Sequence, residues 1–261
     1  MKNSGFYDKD TSAYITTNEN LRESLRLMPK NCKNVLTVAA SGDHPLFCSL
    51  HGAEHVDTFD ITYNAKIIMD IKVNALKCLD RDEYTDVLEN LWWRDDALTA
   101  PHMEQVSKYL PGTEYEYLCS KRGFRLFNRD AWEGRESEYL PTVSEYEKLQ
   151  KIVKEPYSFT QTDIADLSVY LTDKYDFMHF SNIFDYIYEE DQWKVIMPLL
   201  NNVNVGGRVL IHCLKQSFLR GLPFSVIMPD DKKSVERVFE NWRILHFPIR
   251  DDNILVFERV R

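Results

Sequence analysis

The stretch from Asn34 to Asp60, NVLTVAASGDHPLFCSLHGAEHVDTFD, constrains the fold more than any other part of the chain. An apolar run, Val35 to Val38, leads into a turn of small residues, Ala39, Ala40, Ser41, Gly42 and Asp43. An apolar helical segment, Leu46 to Leu50, stops at Gly52, and a second apolar run closes on Asp60. This is strand, turn, helix, strand, and then an acid. Two parallel strands joined this way form a right-handed crossover, in which a small-residue turn lets the backbone approach a ligand at the first strand's carboxyl end. An acid closing the second strand accepts both hydroxyls of a ribose. The pattern points to a nucleoside site; the alternative is a βαβ unit whose Asp60 only caps the next helix.

The turn also bears on what the nucleoside carries. Gly-x-Gly-x-x-Gly is absent, since Gly42 stands there with Ala39, Ala40 and Ser41 in place of further glycines. A pyrophosphate needs close main-chain approach at the helix start, so a dinucleotide is disfavoured. A nucleoside bearing an amino acid, such as S-adenosylmethionine (AdoMet), needs less of a phosphate cradle and suits the turn better.

At 261 residues the chain is long enough for one α/β domain with an elaboration. A net charge of −9 without a basic cluster argues against nucleic acid or an anionic membrane as partner, because both draw affinity from phosphate neutralisation. Cys32, Cys48, Cys78, Cys119 and Cys213 make an odd count with no C-x-x-C, so they read as small packing residues and no metal site is expected. The N-terminus has no apolar signal core and no stretch has the length to span a bilayer, so a cytoplasmic protein without stable membrane insertion is expected. Nothing in the sequence sets an oligomeric state.

Along the chain, Met1 to Thr17 is a polar and aromatic tail or a flap, with Tyr7 and Tyr14 placed to stack on a ligand or simply to anchor by packing. Asn18 to Met28 has helical spacing, with Asn18 or Asn20 able to cap it, and Tyr63 to Leu79 is a crossover helix. Between Asp80 and Glu155 the β-α rhythm breaks into aromatic-rich helical and loop pieces, which read as an inserted helical cap over residues 80–155 of a single domain, 1–261. The rhythm then resumes: strand Phe159 to Asp163, helix Ile164 to Leu171, strand Tyr175 to Phe180, helix Asp191 to Asn201, a turn at Gly206-Gly207, and strand Arg208 to Leu214. A helix over Asp230 to Trp242 and closing strands Arg243 to Phe247 and Asn253 to Val260 bring the sheet to about seven strands. Ser217 to Met228 reads as a buried connection or a lipid-facing lip.

In an open parallel sheet the ligand lies outside the strands' carboxyl ends, near the point where strand order reverses. Four ends carry polar residues, Ser41-Gly42-Asp43, Asp60, Thr162-Asp163 and Ser181-Asn182, and Ala40 and Ile61 stand beside them as further cofactor contacts. The Gly42 turn approaches the amino-acid part of the ligand, Asp60 accepts from the ribose, Asp163 accepts from the adenine amino group, and Asn182 holds an ammonium or carboxylate. For a general base the candidates are Asp185, close after Asn182, and His44, beside the Gly42 turn; Asp185 as a helix cap and His44 as packing are the bland alternatives. His179, inside a strand, reads as a core histidine.

The order and spacing of these segments resemble the class I AdoMet-dependent methyltransferase fold, an α/β, Rossmann-like architecture. Two segments, VLTVAASGDHPLFCSLHGAEHVDTFDIT and YDFMHFSNIFDYI, resemble more particularly the AdoMet:diacylglycerol 3-amino-3-carboxypropyl transferases of betaine-lipid synthesis and their bacterial relatives. The resemblance covers about half the chain, the sheet segments. It implies AdoMet contacts at Ser41, Gly42, Asp60, Asp163 and Asn182. It also implies transfer of the 3-amino-3-carboxypropyl group to a lipid or small-molecule acceptor, with release of methylthioadenosine. Methyl transfer and a non-catalytic nucleoside-binding role are the other readings.

Overall fold

A computed structural model describes residues 12–124, 126–128, 140–213, 240–249 and 252–261. The described chain begins with β1 (Ala13–Tyr14), α1 (Leu21–Ser24), β2 (Asn34–Val38), α2 (Asp43–Leu50), β3 (His55–Asp60) and α3 (Tyr63–Cys78). Four helices, α4 (Arg81–Trp93), α5 (Met103–Ser107), α6 (Gly112–Ser120) and α7 (Val143–Ile152), and the short β4 (Phe127–Asn128) follow. Then come β5 (Ser158–Gln161), α8 (Ile164–Leu167), β6 (Tyr175–His179), α9 (Glu189–Leu200), β7 (Val203–Cys213), β8 (Trp242–Ile249) and β9 (Asp252–Arg259).

Seven strands form one sheet in the order β5-β3-β2-β6-β7-β9-β8, and β1 pairs separately with β4. The first five run parallel, whereas β9 is antiparallel to both β7 and β8. This is the expected α/β, Rossmann-like architecture. Strand order reverses between β2 and β6, which places the switch point beside the Ala40–Asp43 turn. Side chains alternate across the sheet, so Val35 and Phe177 enter one core while Leu36, Val38 and Met178 enter the other.

The long crossover from β3 to β5 carries α3 to α7. Thr62 caps α3, its side chain accepting from the Asn64 N–H. Most of α3 is buried on every side, including Asp70, Lys72 and Asn74. A helix enclosed all round needs a second layer outside it, and the helices between Asp80 and Glu155 supply one. Tyr146 of α7 donates to the Leu79 carbonyl at 3.1 Å, and Lys66 of α3 reaches Glu114 of α6 at 2.6 Å. Capping boxes at Asp80/Glu83 and Thr142/Glu145 start α4 and α7. The described part of this crossover is helical apart from β4, and none of its described residues from 80 to 155 lines the strand-end cleft.

Several boundaries differ from the sequence reading. The helix after Asn18 is one α-turn, capped by Asn20, followed by a 3-10 turn at Leu25–Leu27. The helix after Asp163 stops at Leu167. Gly206 and Gly207 do not turn the chain. They lie inside β7, where the register against β6 shifts, and a Cβ on Gly207 would meet the Asn204 carbonyl oxygen at 2.9 Å. A glycine pair relieves a bulge as readily as it forms a turn. The helix expected over Asp230 to Trp242 lies outside the described residues except at its end, where Trp242 opens β8. The segment Ser217 to Met228 and Tyr7 also lie outside them.

Candidate functional site

One cleft opens at the carboxyl ends of β2, β3, β5 and β6. Ala40, Ser41, Asp60, Ile61, Thr162, Asp163, Ser181 and Asn182 all line it, from residues far apart in sequence. Two of them, Ala40 at φ 44° and Ser181 at φ 53°, hold left-handed backbone that non-glycine residues rarely adopt. They end the two adjacent strands at the switch point. Strain of this kind persists where the surroundings over-determine it, typically at ligand sites.

Gly42 does not reach the cleft. It precedes α2 at φ 82°, and a Cβ there would stand 2.8 Å from the Met69 Cα of α3. Its lack of a side chain lets α2 start against α3. Gly42→Ala is therefore expected to cost about 2–3 kcal/mol, from the left-handed backbone and the overpacked helix. Urea unfolding measures this, and a loss below about 1 kcal/mol would contradict the close approach.

Asp60 closes β3 as expected, yet it is not the cap of α3, which is Thr62. Its Oδ2 accepts from the Ala40 N–H at 3.0 Å and its Oδ1 from the Thr62 N–H at 3.1 Å. The carboxylate thus braces the β2 turn and, with two lone pairs per oxygen, keeps acceptor capacity toward the cleft. Burial raises its pKa to about 6, against the lowering effect of the Thr62, Ala40 and Ile61 N–H groups. Asp163 divides its carboxylate similarly: Oδ1 accepts from the Ala165 N–H at 2.9 Å and caps α8.

The N-terminal segment crosses the strand ends as a strap. Ser12, Ala13, Tyr14, Thr16, Thr17 and Asn18 line the cleft. The Thr17 N–H donates to Asp43 Oδ2 at 2.8 Å, and Ser41 Oγ donates to the same oxygen at 2.8 Å. Lys72 of α3 donates to Asp43 Oδ1 at 2.5 Å. One buried acid therefore ties the strap, the turn and the crossover helix together. Burial pulls the Lys72 ammonium down, and Asp43 opposes that pull.

Behind the strap lies a buried cluster. Glu19 accepts from Ser181 Oγ, and its Oε2 lies 3.2 Å from His44 Nε2 and 3.5 Å from His212 Nε2. The His179 ring stands 5.0 Å from that of His44 and 5.3 Å from that of His212. Burial pushes the Glu19 carboxyl up, but His212 and His44 outweigh it and hold the group well below the usual carboxylate range. His179 is held well below the usual histidine range by burial and then by its two histidine neighbours.

His44 touches the cleft but has little exposure, with one nitrogen turned to Glu19. Asp185 does not line the cleft. It sits in the 3-10 turn Ile183–Tyr186, where residues three apart share a face; Ile183 and Tyr186 reach the cleft, and Asp185 falls on another side. Sequence reasoning missed Glu19, His212 and Asp191, the last an acid of α9 that lines the cleft, and it named Asp43 in the turn without a task of its own. The available signal was a histidine two residues after an apolar one in each of two strands, Phe177/His179 and Leu210/His212, which puts both histidines on one sheet face.

No protein-family model matches the chain, and no curated protein matches it significantly. Similar solved structures include an rRNA methylase from Streptococcus thermophilus, 10% identical with 94% of each chain covered and a TM-score of 0.43. The N-methyltransferase NodS from Bradyrhizobium japonicum, solved with S-adenosyl-L-homocysteine, is 10% identical over 92% of this chain and 86% of that one, with a TM-score of 0.46. A ribosomal protein L11 methylase from Lactobacillus delbrueckii subsp. bulgaricus is 13% identical over 92% and 77%, with a TM-score of 0.41. Likeness at this level assigns neither activity nor acceptor.

Proposed function

We propose that the chain is an AdoMet-dependent transferase acting on a small-molecule or lipid acceptor. The observation that carries this reading is the convergence of four polar strand ends on one cleft, with Asp60 closing β3 on its wall and left-handed backbone at Ala40 and Ser181. The residues fit the cofactor. Asp60 accepts from ribose hydroxyls, Ile61, Ile164 and Ala165 offer apolar contact to a base, and Asp163 keeps one oxygen for its amino group. The Ala40–Ser41 turn and Asn182 hold the amino-acid end. Bound AdoMet supplies a carbon activated by a sulfonium. Anchors at both ends favour transfer of the methyl group, the substituent that neither anchor needs. The resemblance of the β2–β3 and β6 segments to the aminocarboxypropyl transferases favours the γ-carbon as the second reading. Asp191, Tyr14 and Tyr186 line the cleft, and Asp191 is the carboxylate placed to take an acceptor proton.

Incubating the protein with AdoMet and an extract of its own cells, and quantifying the cofactor products, distinguishes these readings. S-adenosylhomocysteine identifies methyl transfer and methylthioadenosine identifies transfer of the γ-carbon; neither product, with AdoMet bound, identifies a binding role.

A pH dependence follows from Asp60. With its pKa raised to about 6, the group is ionised and acceptor-only above that value and protonated below it. AdoMet affinity is therefore nearly flat above about pH 7 and falls about tenfold between pH 7 and pH 5. Asp60→Asn removes this dependence. Calorimetry across the range checks it, and an affinity that rises on acidification would contradict the role of the ionised group. The sign for stability is the opposite. A carboxyl with a raised pKa favours the fold while protonated and loses that contribution as pH climbs from the ordinary carboxylate value to about 6.

A further inference from the structure

We propose that Glu19, His44, His179 and His212 form a binding site for one divalent transition-metal ion of the zinc class. The four side chains come from the strap, the start of α2 and the adjacent strands β6 and β7, and all are buried at 2% exposure or less. Single donor atoms from Glu19, His44 and His179 lie within 4.8 Å of one another, and His212 Nε2 stands 3.5 Å from the Glu19 oxygen that also faces His44. Around a tetrahedral ion with bonds of about 2.1 Å, neighbouring donors stand about 3.4 Å apart. The Glu19 to His44 and Glu19 to His212 separations, 3.2 and 3.5 Å, match such edges. His179 lies within the 4.8 Å group and His212 outside it, so side-chain shifts at both histidines complete the set.

A second observation points to a ligand. Neither ring nitrogen of His179 has a hydrogen-bond partner although both are buried, and the ion would take one of them. Unsatisfied buried imidazoles are costly, and native interiors rarely leave them so without an ion or water. Three imidazoles and one carboxylate are the donor set that suits zinc and its neighbours, not calcium or magnesium. The expectation of no metal rested on the cysteines, and none of these four ligands is a cysteine.

Four protein donors close the coordination sphere, which is the mark of a structural site. The ion fastens the strap: Glu19 is its N-terminal ligand, and through Ser181, which lines the cleft, it fixes the end of β6. This inference does not rest on the cofactor reading, although the two sites meet at His44 and at the Ser181 hydroxyl that donates to Glu19.

The test uses the whole chain purified without a polyhistidine tag. After chelation, titration with Co2+ should give the intense visible bands of a four-coordinate ion, saturating at one equivalent. Zn2+ at one equivalent should raise the unfolding temperature of the chelated protein. Glu19→Gln and His179→Gln should each weaken Co2+ binding about 100-fold or more, in keeping with loss of a ligand. Because a ligand variant can fail to fold, the unmodified chain decides. Absence of both the bands and the thermal shift overturns the proposal, as does six-coordinate, weakly coloured Co2+, or a folded His179→Gln protein with unchanged affinity and spectrum.

Discussion

Asp43→Ala is expected to lower the stability of the folded chain by about 3–5 kcal/mol, the cost of stranding one partner of a buried ion pair. Asp43 and Lys72 are both fully buried. The substitution removes the acceptor of Lys72, of the Thr17 N–H and of Ser41 Oγ together. What remains is an uncompensated ammonium inside α3 and a strap with its central anchor gone. The double variant Asp43→Asn with Lys72→Met should recover much of the loss, because it removes both buried charges together and leaves an amide oxygen to accept from the Thr17 N–H and Ser41 Oγ. Urea unfolding followed by circular dichroism reads both numbers. A loss under about 1 kcal/mol for Asp43→Ala would show that the pair does not tie these elements together.

The second large effect falls on binding. Asp60→Ala should weaken AdoMet at least about 100-fold, since it removes a charged acceptor for ribose hydroxyls worth about 1.5–3 kcal/mol per hydrogen bond. It also strands the Ala40 and Thr62 N–H groups, so the β2 turn loses its brace. Asp60→Asn keeps the shape and one acceptor oxygen, and should lose about tenfold. The ordering wild type, Asn, Ala is the signature of direct ribose contact. Equal affinity in all three would remove Asp60 from the site.

How much of this was legible depended on distance along the chain. The β2–α2–β3 unit could be read because its apolar runs, small turn and closing acid lie within one continuous stretch, and local periodicity decides such units. The polar ends of β5 and β6 were legible for the same reason, and the parallel sheet then carries all four ends to one rim. Glu19 was not legible. It lies in a polar segment, 25 residues from His44 and 162 from Ser181, and only the strap's path gives it meaning. Asp43 resembled one more residue of a small turn, and Lys72 an exposed position on an amphipathic helix. Both are buried because the insertion covers α3, which no local pattern announces. Asp185 was misplaced by one feature of geometry: a 3-10 turn, not an α-helix, follows β6, and the face it presents to the cleft repeats every three residues.

The measurement closest to the central claim is a calorimetric titration of the purified, folded chain with AdoMet at neutral pH. The strand-end cleft predicts saturable binding to one site per chain. A folded sample that takes up no AdoMet at millimolar concentration would contradict the nucleoside site, and with it the transferase reading.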